Sequence, residues 1–87
     1  VASAIAKKIH GVSDQSQVLC ITHLPQVAAI ADEHLYINKQ IVGDRTKTQV
    51  SHLSEEDRVE EIARMLSGDQ TTPASLSAAR ELLKKGL

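Results

Sequence analysis

One stretch of this chain, Val18-Leu19-Cys20-Ile21, is an uninterrupted apolar run of strand length, the pattern of a strand covered on both faces. Such a strand needs a neighbour on each edge, and no second run of its kind offers a parallel partner. The next five residues are Thr22-His23-Leu24-Pro25-Gln26. Pro25 suits the first position of a helix, where a backbone N–H would be unpaired in any case. His23 is therefore expected at the end of a central strand, just before a helix. Open α/β folds carry their ligand chemistry there, in the crevice beyond the carboxyl ends of the strands.

The remaining chain supports an α/β reading in the order α-β-α-β-β-α-α. Ala2, Ile5, Ala6 and Ile9 recur at helical spacing, and Gly11 is expected to end that first helix. The second helix runs from Pro25 through Ala31. Leu35 to Val42 and Thr46 to Leu53 read as two strands, joined as a hairpin through Gly43-Asp44. Ser54 caps a helix whose first turn holds Glu55, Glu56 and Asp57, where the helix dipole favours acids. Its apolar stripe is Val59, Ile62, Ala63 and Leu66, and Gly68 stops it. Thr72-Pro73 opens a last helix with Leu76, Ala79, Leu82 and Leu83 facing inward.

Eighty-seven residues make one small unit, 1–87, and the absence of Phe and Trp limits how much area each core residue can bury. A domain of this size covers only about 60% of its unfolded surface. The unpartnered strand, the thin core and a start at Val1 already in helical rhythm together lead to the expectation of a piece of something larger. A net charge of −1 provides no basic footprint for nucleic acid. No apolar run reaches the roughly 18 residues of a membrane span, and a lone Cys20 in an apolar run favours a reducing interior. A cytoplasmic location is expected, with no membrane partner.

His23 leads the candidates for chemistry. A neutral imidazole has one donor and one acceptor, enough to meet a terminal phosphate or the water attacking it. The competing reading is that His23 only satisfies backbone groups at the strand end. Cys20 and His23 are three residues apart, but structural zinc wants four ligands in two tight pairs, and His10, His34 and His52 form no such pattern. No metal site is expected. The sequence has no nucleophile elbow, no phosphate-cradling P-loop and no apolar strand ending in magnesium-binding acids.

Three runs nevertheless carry a specific likeness. Leu19-Cys20-Ile21-Thr22-His23-Leu24-Pro25-Gln26-Val27-Ala28-Ala29, with Ala31-Asp32 and Leu35-Tyr36-Ile37-Asn38-Lys39 after it, is the first. Arg58-Val59-Glu60-Glu61-Ile62-Ala63-Arg64-Met65-Leu66-Ser67-Gly68 and Ser75-Leu76-Ser77-Ala78-Ala79-Arg80-Glu81-Leu82-Leu83 are the others. Together they resemble, in the same order, the C-terminal part of the RecN family of bacterial DNA repair proteins. That family is SMC-like, with an ABC-type ATPase head split by a long coiled coil, and acts in recombinational repair of double-strand breaks.

The resemblance implies that the chain is the C-terminal lobe of a P-loop ATPase head. It makes His23 the H-loop histidine that contacts the γ-phosphate of ATP. The implied cofactors are ATP and Mg2+ in the intact protein and none for this piece alone. The P-loop lies near the family's N-terminus, and the signature motif, magnesium-binding acids and D-loop should lie shortly before Val1, so the piece alone should not hydrolyse ATP. Implied partners are the rest of its own head, a second head in an ATP-dependent dimer and, for the intact protein at the nucleoid, DNA. The alternative is a non-enzymatic module that docks another protein through its hairpin or its last two helices. Open strand edges and uncovered apolar faces also predict self-association of the isolated piece.

Overall fold

The computed structural model describes residues 2–68 and 70–85; the start at Val1 lies outside them. Four helices and one hairpin are built in the order α1 Ala2–Ser13, α2 Pro25–Ile30, β1 Leu35–Val42, β2 Arg45–His52, α3 Glu55–Ser67 and α4 Pro73–Lys85. The order is thus α-α-β-β-α-α, and the expected strand at Val18–Thr22 is not formed. Residues 17–22 pair with no strand; among the described residues the strands are β1 and β2, which pair with each other. Apolar character records a preference for burial, but only a neighbouring backbone can make a strand. Leu19 is 80% exposed and Ile21 88%, and Cys20, expected inside, is exposed too.

The locally coded elements follow the sequence closely. In α1, Gly11 does not end the helix; it lies in the last turn, which closes two residues later. Ser13 Oγ donates to His10 O at 2.5 Å, and the Asp14 and Gln15 amides bond back three residues to Gly11 and Val12. The hairpin pairs Leu35 with His52 through Val42 with Arg45, leaving the two-residue turn Gly43-Asp44. Gly43 has φ +66° and no described non-glycine residue has positive φ, which is the requirement of a type II′ turn. Helix α3 starts on Ser54, whose hydroxyl accepts the Asp57 amide at 3.2 Å, and stops at Gly68 with φ +92°. Before α4, Thr72 and Ser75 exchange side-chain and backbone hydrogen bonds reciprocally, at 3.0 and 2.8 Å.

The core lies among α2, α3 and α4. Ala28, Ala29, Ile62, Ala63 and Ala79 form its buried centre, with Val59, Met65, Leu76, Leu82 and Leu83 packed around it. Small alanines let the helices approach, so a chain without Phe or Trp still closes a centre. Leu66, read as part of the stripe, is instead at the surface, and Met65 takes its place. The hairpin stands apart from this core, with only Asn38 of its strand residues half-buried. The accessible surface is 6728 Å². A monomer of 9.4 kDa is expected to expose about 5,000 Å².

Candidate functional site

The turn that carries His23 is built from its neighbours. Thr22 Oγ1 accepts the Leu24 amide at 3.0 Å, closing a small side-chain turn around His23. Leu24 lies in the extended region, and its carbonyl accepts the amides of Val27 and Ala28, both at 3.1 Å. Pro25 then occupies the first turn of α2, as its missing N–H allows. His23 is exposed, and its imidazole forms no hydrogen bond with any described residue. Of the two readings open in the sequence, satisfaction of backbone groups by His23 is therefore not realised; Thr22 performs that task.

Helix α2 has only six residues, and Val27, Ala28 and Ala29 sink it into the core. Its carboxyl end is held by a residue that sequence reasoning did not single out. Arg58, 8% exposed, reaches across from α3. Its Nη2 donates to Ala28 O at 3.0 Å, to Ala29 O at 3.1 Å and to Ala31 O. Burial lowers the guanidinium's pKa, while Glu55 and Asp32 oppose that shift. A signal was present in the sequence: Arg58 stands four residues before the fully buried Ile62, on the same helical face. It stands among acids, and the sequence reading gave it no role of its own.

The residues after α2 connect it to the remaining elements. His10 of α1 meets Asp32 at 3.2 Å, and His52 of β2 meets Glu33 at 3.8 Å. His34 accepts the Leu53 amide on its carbonyl at 3.0 Å, and its ring Nδ1 is buried without a partner. Desolvation and the nearby Arg58 charge lower the His34 pKa, with Glu61 opposing them. Neutral imidazole is thus the form that belongs there. Among the described residues, no three His, Cys, Asp or Glu side chains gather as metal ligands, and Cys20 and His23 do not form part of such a group. No described helix is long and apolar enough to cross a membrane.

No protein-family profile matches the chain. Individual relatives do. The chain is 58% identical over 85 residues to the DNA repair protein RecN of Bacillus subtilis, 98% of its own length. It is 45% identical over the same share to RecN of Treponema pallidum, and 42% identical over 94% of its length to RecN of Vibrio cholerae. The chain is thus homologous, almost from end to end, to a segment of bacterial DNA repair proteins. It corresponds to the C-terminal part of RecN, and spans about 15% of the length of these relatives.

Proposed function

We propose that this chain is the C-terminal part of the ATP-binding and hydrolysing head of a RecN-like protein that repairs DNA double-strand breaks, and that His23 is its H-loop histidine. The carrying observation is the exposed, unpartnered imidazole on the turn that enters α2. In the assembled head the ring would donate to a γ-phosphate oxygen or orient the attacking water, and a donated hydrogen bond there would strengthen as charge develops. ATP and Mg2+ are held by other parts of the head, since this sequence contains no P-loop. The segment alone is inactive for that reason. Its partners are the rest of its head, a second head joined in the ATP-bound dimer and, through the whole protein, DNA in the cytoplasm at the nucleoid.

The test is ATP hydrolysis by the full-length protein after His23→Ala. Loss of one positioned proton-transfer or hydrogen-bonding group should slow turnover about 10²-fold. A mutant that hydrolyses ATP at the unmutated rate sinks the assignment. The second reading, a non-enzymatic docking module, draws on the exposed apolar residues Ile37, Ile41 and Val50 of the hairpin. It becomes the better account if the full-length protein has no ATPase activity at all.

A further inference from the structure

We infer that Arg58 is the positioning residue of His23: by gripping the carboxyl end of α2, it fixes the turn that presents the imidazole. The inference rests on the reading of His23 as the phosphate-contacting group. Val27, Ala28 and Ala29 seat α2 in the core, but the helix brings little that secures its own ends. Six residues are too few for a helix to persist alone in water. There is no side-chain cap at Leu24, no acid in the first turn and no base in the last. Ala31, at φ −65° and ψ 145°, leaves the helical region, so the final carbonyls have few donors of their own.

Arg58 supplies what is missing. Its Nη2 lies within reach of three carbonyls, those of Ala28, Ala29 and Ala31, and its positive charge sits where the helix dipole is negative. The arginine is itself firmly based. It stands one turn inside α3, which is capped by Ser54 and anchored in the core by Ile62 and Ala63. Its Nε remains buried without a partner. Such a group is costly to bury, so the side chain holds this position through its Nη2 contacts despite that cost. Between α2 and His23 there is only Leu24, whose carbonyl is already bound to the first turn of the helix. A rotation or slip of α2 is therefore passed directly to the histidine.

The experiment compares Arg58→Ala, Arg58→Lys and His23→Ala in the full-length protein, with both arginine variants also made in the His23→Ala background. Misplacing a reacting group by a fraction of an ångström lowers turnover more than binding, so Arg58→Ala should reduce kcat about tenfold and move the KM for ATP by less than about twofold. Arg58→Lys keeps the charge and the donors on a shorter side chain, and should lie between the two. Because the arginine acts through His23, neither substitution should slow the His23→Ala protein any further. General loss of folding would slow both backgrounds alike. Full kcat in both arginine variants, or equal losses with and without His23, overturns the inference. If Arg58→Ala does not fold, Arg58→Lys carries the same comparison. Unchanged turnover in His23→Ala would instead remove the reading of His23 beneath it, and a slow His23→Ala protein beside fully active arginine variants removes the arginine alone.

Discussion

His34 and Arg58 share one environment at the carboxyl end of α2, and only one of them stays charged there. Burial and the guanidinium both hold the His34 pKa below its ordinary 6.5, against the weaker pull of Glu61. In the unfolded chain the imidazole takes up its proton near pH 6.5, while the folded chain waits for a lower pH. Between those values the unfolded state holds more protons, so local stability falls as the pH falls; above about 6.5 the residue contributes no pH dependence. Amide exchange at Leu53, whose N–H is bound to the His34 carbonyl, reports on this opening. Its protection, corrected for the intrinsic exchange rate, should decline between pH 7 and pH 5, and His34→Gln should flatten that decline. Equal declines in the two proteins would contradict the role of His34. At this scale the sequence singled out His23 as a candidate through its place between an apolar run and a proline. Arg58 and His34 stayed hidden because their roles arise from contacts 27 to 30 residues away along the chain, in the case of Arg58, and from burial in the case of His34.

Elements were legible where their signals are local. Ser54 and the acids after it marked the start of α3, Gly43-Asp44 marked the hairpin turn, and Thr72-Pro73 marked α4, and each falls where its chemistry required. The α3 cap is the cleanest to test. Ser54 Oγ accepts an amide that has no partner within the helix, so Ser54→Ala should cost about 1 kcal/mol, and Ser54→Asp, which keeps an acceptor, should cost much less. Denaturant unfolding followed by a probe in this helix would check both, and a loss common to the two variants would argue against the cap. Since α3 carries Arg58, the same loss should loosen the hold on α2. The apolar run Val18–Ile21 could not be read in this way. Its residue types fit a buried strand, but a strand is a relation between two backbones, and among the described residues no second backbone pairs with it.

That missing neighbour governs the behaviour of the whole molecule. The chain exposes 6728 Å², well above the about 5,000 Å² expected of a compact monomer of its mass, and its radius of gyration of 14.2 Å exceeds the about 12 Å expected for its length. Much of the excess is apolar and falls in two places. Ile37 faces its cross-strand partner Val50, and Ile41 shares their face of the hairpin, all three exposed; Leu19 and Ile21 add a second apolar stretch before α2. The two-stranded sheet also leaves both outer edges unpaired. With a net charge of −1, little repulsion keeps copies apart. The isolated 87-residue chain should therefore associate with itself as its concentration rises, and sedimentation velocity over a wide concentration range measures this directly. Ile41→Lys combined with Val50→Lys puts two like charges on the hairpin face and should shift the distribution towards monomer. The same pair introduced into the full-length protein distinguishes two origins of the exposed face. If that face is covered by the rest of the full-length protein, the lysines should destabilise that protein as well; if it is a surface for another protein, the full-length protein should keep its stability and lose the partner. A monomer that persists at high concentration without the lysines would show that the exposed face tolerates water and needs no cover.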